Sequence, residues 1–177
     1  MNASMPDLKK RIEGCSKCKN AKPWLFPKKE GVDGFLGCRK IMFVGDRPSR
    51  PSTGKSGDDE LDNATRLFYK LLKHKGFADA HLTDLTKCRR KVKDTVGFEE
   101  ISNCLEHFKE ELNTIKPMAI VALGHKPYTI LEFLLPALGK ADIQLERITH
   151  YSYAKRFKRQ DKYPKEFDEL QRKLRKV

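Results

Sequence analysis

No apolar run in this chain approaches the ~18 residues that a membrane-spanning helix requires. The opening residues, MNASMPDLKK, hold no hydrophobic stretch of the kind that forms a secretion signal, so the expected compartment is the cytoplasm. Internal repeats and long linkers are absent, and 177 residues make one domain of ordinary size. A complete phosphate-binding loop is absent too. Ser52-Thr53-Gly54-Lys55-Ser56 ends like one, but the pattern needs a glycine five residues before Gly54, where Ser49 stands. Nucleotide hydrolysis through that loop is thereby excluded. Acidic residues are scarce relative to bases: 24 Asp and Glu face 37 Lys and Arg, a formal net charge of +13.

That excess is unevenly placed. Residues 1–40 carry ten Lys/Arg against four acids, and residues 151–177 carry the same ten against four. The stretch between them is nearly balanced, seventeen against sixteen. Two basic ends around a neutral middle suit a partner rich in phosphate, a nucleic acid above all. A well-solvated basic surface without such a partner is the plainer reading.

Cysteine is sparse, but its arrangement is informative. Cys15-x2-Cys18 aims two thiols at one centre from a tight turn, and Cys88-x15-Cys104 supplies a second pair from mid-chain. In a reducing compartment such pairs argue for metal rather than disulfides. Both pairs would be short in a compact zinc ribbon, so this spacing fits a site that ties an N-terminal segment (residues 1–40) onto the core. The alternative is a set of small buried thiols. Cys38, the odd one, reads as structural.

Between the basic ends, strand and helix patterns alternate. Ile41–Val44 is a short apolar run stopped by Gly45 and predicts a buried strand. From Glu60 to Lys75, Leu61, Ala64, Leu67, Phe68, Leu71 and Leu72 recur at three and four, predicting a helix closed by Gly76. Further strands are expected at His81–Leu85, Met118–Leu123 and Ile143–Thr149. Further helices are expected over 98–115, through Tyr128, Leu131 and Leu135, and after Pro164 through Phe167, Leu170 and Leu174. The expected fold is a three-layer α/β/α sandwich around a four-stranded parallel sheet. Ligands of such sheets bind beyond the carboxyl ends of the strands. Those ends carry Gly45-Asp46-Arg47-Pro48-Ser49, Thr83-Asp84, Leu123-Gly124 and Thr149-His150.

Several of these features occur together in one family. The two cysteine pairs, the loop Val44-Gly45-Asp46-Arg47-Pro48-Ser49, and the run Leu82-Thr83-Asp84-Leu85-Thr86-Lys87-Cys88-Arg89 fall in one order. Lys116-Pro117 then precedes an apolar strand ending in Leu123-Gly124, and Thr149-His150-Tyr151-Ser152 leads into a basic segment and a final helix. In this the chain resembles the uracil-DNA glycosylase superfamily, its iron–sulfur branch in particular, over nearly its whole length. The resemblance implies a [4Fe–4S] cluster on Cys15, Cys18, Cys88 and Cys104, with zinc as the alternative metal. It implies a repair glycosylase, acting on single- or double-stranded DNA, that cleaves the bond to a flipped uracil or another deaminated or modified base; a monomer is expected. Asp46 would serve the sugar side and His150 the leaving base. Asp84, Gly45, Pro48 and Ser49 would recognise the base, while Ser152, Lys155, Arg156 and Arg159 would hold phosphates. The alternative is a non-catalytic iron–sulfur protein that keeps the fold and binds nucleic acid.

The chain also departs from that family. Asp84 stands where the iron–sulfur branch carries Asn, and an ionised carboxylate only accepts hydrogen bonds. The segment after Pro48 lacks the family's base-stacking Pro-Phe, and the usual His-Pro-Ser is His150-Tyr151-Ser152. Tyr151 and Tyr153 thus become candidates to press on DNA or to pack as ordinary tyrosines.

Overall fold

The computed structural model describes residues 4–18, 22–48, 62–89, 97–157 and 161–174. Ser49, Arg159 and the Ser52–Ser56 segment lie outside the described residues. In chain order the elements are α1 (Met5–Glu13), β1 (Lys22–Pro23), a 3-10 turn (Gly34–Leu36), β2 (Arg39–Gly45), α2 (Asn63–His74), β3 (Ala80–Asp84), β4 (Cys88–Arg89), α3 (Phe98–Ile115), β5 (Ala119–Leu123), α4 (His125–Ala137), β6 (Gln144–Ile148), α5 (Tyr151–Arg156) and α6 (Tyr163–Lys173).

β2, β3, β5 and β6 form the expected four-stranded sheet, in the order β3-β2-β5-β6 with every pairing parallel. Its central strands read as continuous apolar runs because both faces are covered. Successive side chains of β2 enter opposite cores. Ile41 and Phe43 join Phe68, Leu72, Tyr151 and Phe167 from α2, α5 and α6. Met42 and Val44 join Phe108, Leu112, Leu131 and Leu135 from α3 and α4. These are the two outer layers of an α/β/α sandwich.

Helix ends follow from local chemistry. Asp62 caps α2 by accepting from the Thr65 N–H at 2.8 Å, so the helix starts later than Glu60. Ser4 caps α1, a helix the periodicity reading did not pick out, and Leu8 and Ile12 bury one face of it against Phe35. β3 ends at Asp84 rather than Leu85, the Leu85 N–H making the last ladder bond, to the Gly45 carbonyl at 2.9 Å. β6 is likewise shorter than 143–149, and α5 begins at once beyond His150. β1 and β4 form a small antiparallel ladder, Pro23 opposite Cys88, which fastens the N-terminal segment beside the sheet. Cys38, read as structural from the sequence, is exposed just ahead of β2. No helix among the described residues is long and apolar enough to cross a membrane.

Candidate active site

The carboxyl ends of β2, β5 and β6 open onto one cavity of about 520 Å³. Its walls include Asp46, Gly124, Lys126, Arg147, His150 and Tyr153. Parallel strands deliver these groups to one edge, although they are far apart in the chain.

Asp46 follows β2 directly. Its main-chain carbonyl accepts from both the amide and the hydroxyl of Thr86, at 3.1 and 3.2 Å, which fixes the loop. One carboxylate oxygen accepts from the Arg47 N–H at 2.9 Å, and the other lies 3.4 Å from the Lys126 ammonium. Lys126 sits in the first turn of α4, beyond Gly124. That glycine has φ of +103° and would bring an added Cβ to 3.4 Å from the Cβ of His150. That separation is ordinary contact, so it is the left-handed φ rather than lack of space that calls for glycine at the end of β5.

His150 caps α5. The Ser152 N–H donates to its Nδ1 at 3.2 Å, and the Ser152 hydroxyl lies 2.7 Å from the same atom. A ring nitrogen that accepts a backbone N–H carries no proton, so in the neutral ring the proton is on Nε2. Burial holds the imidazole below its usual pKa, against the opposing pull of Asp46 and Asp62. The ring is therefore a neutral hydrogen-bond donor near pH 7. It stacks on Tyr151, centroids 4.2 Å apart, and Tyr151 stacks in turn on Phe68 at 5.0 Å. Tyr151 is thus a buried floor tile, only 3% exposed, and cannot press on DNA. Tyr153 is exposed at the cavity mouth and packs on Phe157.

Asp84 behaves differently from its sequence reading. Its carboxylate is buried and packed on Gly45, where an added Cβ would fall 2.1 Å from Oδ1. It is not on the wall of the described cavity, and its charge raises the phenol pKa values of Tyr69 and Tyr151, secondary to burial. Pro48 is buried at the end of the β2 loop. Ser152, Lys155 and Arg156 are exposed together on α5.

Cys15 and Cys18 follow α1, Cys88 is in β4, and Cys104 is in α3. Among the described residues, no group of three or more His, Cys, Asp or Glu stands at metal-ligand spacing. The four thiols are nevertheless electrostatic neighbours. Burial first, then Cys104, Cys18 and Cys15, push the Cys88 thiol up to about 12. Burial raises Cys104 as well, opposed by the amide and charge of Lys87. Soft sulfur donors suit iron–sulfur or zinc, so by donor chemistry these four residues fit such a group, although they do not stand at metal-ligand spacing in this structure.

Sequence reasoning missed Lys126, Arg147, Lys87 and Glu166. Lys126 had a faint signal, two residues after the strand-ending Gly124. The others lay in segments whose pattern marked only a strand, a turn or a helix.

The family model for the uracil DNA glycosylase superfamily matches residues 37–175. A type-4 uracil-DNA glycosylase of Pyrobaculum aerophilum is 30% identical over 125 residues, covering 66% of this chain and 59% of that protein. Another type-4 uracil-DNA glycosylase, from Sulfurisphaera tokodaii, is 24% identical over 161 residues, covering 89% of this chain and 70% of that protein. A third, from Saccharolobus solfataricus, matches at 30% identity over 118 residues, so the chain spans about half (51%) of that relative. The crystal structure of wild-type SMUG2 from Pedobacter heparinus superposes with a TM-score of 0.62 at 10% identity, over 78% of this chain and 77% of that one, a likeness of fold. With a family model matched over most of its length, on a sheet of this order, the chain belongs to the uracil-DNA glycosylase superfamily.

Proposed function

We propose that this chain is a DNA repair glycosylase that hydrolyses the N-glycosidic bond of a base extruded into the cavity between Asp46 and His150. The observation carrying the proposal is the pairing of an anion and a neutral imidazole donor on one cavity wall. In the reaction the bond between C1′ and the base nitrogen breaks, and its electron pair leaves with the base. Positive charge then grows on the sugar and negative charge on the base. Asp46 stabilises the first and orients the attacking water, whose oxygen bonds to C1′ while its proton passes to solvent, which in turn protonates the released base. The Nε2–H of His150 donates to the oxygen on which the second collects. Because the ring is already neutral, it adds no charge that the ground state must solvate. Lys155, Arg156 and Ser152 grip phosphates beside the extruded nucleotide.

Cys15, Cys18, Cys88 and Cys104 would hold the [4Fe–4S] cluster, with zinc the alternative. Bound there, the metal group supplies a cationic cross-link between the end of α1, β4 and α3. We place the protein in the cytoplasm as a monomer.

Asp84, buried beside Gly45, would bear on which base is taken where an extruded base reaches past Gly45 to its carboxylate. A carboxylate accepts hydrogen bonds, so it disfavours the O4 of uracil and favours an exocyclic amino group. It also favours a second reading, a protein that binds nucleic acid without excising bases. One experiment separates the two. Anaerobically purified protein is tested for base release from oligonucleotides carrying uracil, hypoxanthine, xanthine or modified cytosines, single-stranded and paired. Release that disappears in Asp46→Ala supports the glycosylase. Salt-sensitive binding with no release across the panel supports the second reading.

A further inference from the structure

Three ionisable side chains that the proposed reaction does not use are sealed in the interior. His81 and Glu111 are 0% exposed and Lys87 is 1% exposed. Lys87 Nζ lies 2.7 Å from Glu111 Oε1, an ionic contact rather than a directed hydrogen bond. The same ammonium donates to the Thr83 hydroxyl at 2.7 Å and to the main-chain carbonyl of Asp84, and stands 5.5 Å from the centre of the Phe108 ring. Glu111 Oε2 faces His81 Nε2 at 3.2 Å, and His81 Nδ1 donates to the Phe35 carbonyl at 2.7 Å.

Buried ions are a poor way to gain stability, since well-packed apolar groups of equal volume do as well or better. What they add is direction. Lys87 folds back across the Leu85-Thr86 turn to grip the last two residues of β3. Its own amide donates to Cys104 Sγ at 3.4 Å, and its carbonyl accepts from the Trp24 N–H at 2.7 Å. One residue therefore touches the Asp84 end of the sheet, a metal-site thiol and the N-terminal segment.

We propose that Lys87 is a positioning residue that locks the cysteine-bearing loop to the Asp84 end of β3, with Glu111 and His81 holding its ammonium in place. A metal held by Cys88 and Cys104 would thereby help fix Asp84 against Gly45. The consequence for base selection rests on the glycosylase reading above; the mechanical link does not.

The test replaces both charges at constant volume, Lys87→Met with Glu111→Gln, in the full chain purified with its metal. The amide of Gln keeps a partner for His81. The double variant is expected to unfold within a few degrees of wild type. Amide hydrogen exchange over residues 83–88 should accelerate about tenfold, chelator should strip metal several-fold faster, and any base release should fall about tenfold in kcat/KM. A folded double variant with unchanged exchange and unchanged metal retention would overturn the proposal. Should the variant not fold, the wild type decides: stripping its metal must speed exchange at Asp84–Thr86, and no change there overturns the link. Wild-type protein that releases no base sinks the glycosylase reading alone, because the exchange measurement still decides for or against Lys87.

Discussion

Glu166 takes two hydrogen bonds from Thr149, from its backbone N–H at 2.6 Å and from its hydroxyl at 2.8 Å. Thr149 immediately precedes His150, so a carboxylate on α6 holds one flank of the imidazole. The other flank is held by Tyr151, which stacks on the imidazole at 4.2 Å and on Phe68 of α2 at 5.0 Å. His150 is thus clamped from two helices that have no part in the chemistry.

Glu166→Ala should therefore slow base release about tenfold while leaving DNA affinity nearly unchanged. It should also cost about 1–3 kcal/mol in urea unfolding, the range for losing acceptors of partly buried donors. Glu166→Gln keeps an acceptor and should fall between. Single-turnover kinetics beside equilibrium unfolding check both statements.

The lowered pKa of His150 gives a pH signature. Its folded value is below the unfolded value of ~6.5, so as the pH falls below that value the unfolded chain takes up the proton more readily than the folded chain. Stability from this group is complete above pH ~6.5 and is lost as pH falls from there toward the folded value. Base release should stay level through pH 6.5 and decline only below it. An NMR titration of the His150 ring should show a midpoint under 6.5; a midpoint above it would contradict the neutral-donor assignment.

Gly45→Ala puts a methyl group 2.1 Å from Asp84 Oδ1, too close for any contact. Either the carboxylate or the β2–β3 pairing must move. A loss of about 1–3 kcal/mol is expected, as for overpacking elsewhere, with base release falling further than stability alone explains. Thermal unfolding and kinetics on the folded fraction measure the two parts.

Metal removal tests the cross-link. α1 keeps its own anchorage through Leu8 and Ile12 against Phe35, and through the Arg11–Glu110 ion pair at 3.0 Å. Cys15→Ser, or chelation, should lower the unfolding temperature and expose the segment after α1 to protease without melting the sheet. Circular dichroism and limited proteolysis read the two effects separately. Loss of the sheet itself would show that a metal group held by these thiols organises the whole core.

Much of this fold was legible in the sequence for a simple reason. Strands buried on both faces read as unbroken apolar runs, as in Ile41–Val44 and Ala119–Leu123, and the helices between them carry a three-to-four repeat. Alternation of the two dictates parallel pairing, and parallel pairing dictates which ends gather, so Asp46 and His150 could be named together. α5 was hidden because its six residues are too few to show a period. α1 was hidden among the basic residues of its exposed face.

The sequence by itself thus determined the layers, the sheet, the edge where a site forms and the four thiols that could share a metal. These follow from local periodicity and from which elements must cover which faces. Only the tertiary structure decided that Tyr151 is buried while Tyr153 is exposed, that Asp84 turns onto Gly45, that Lys126 pairs with Asp46, that Glu166 holds Thr149 and that Lys87 is enclosed against Glu111. Each of those is a contact between residues on different elements. Packing chooses such partners through the relative placement of whole helices and strands, and no local pattern in the chain records that choice.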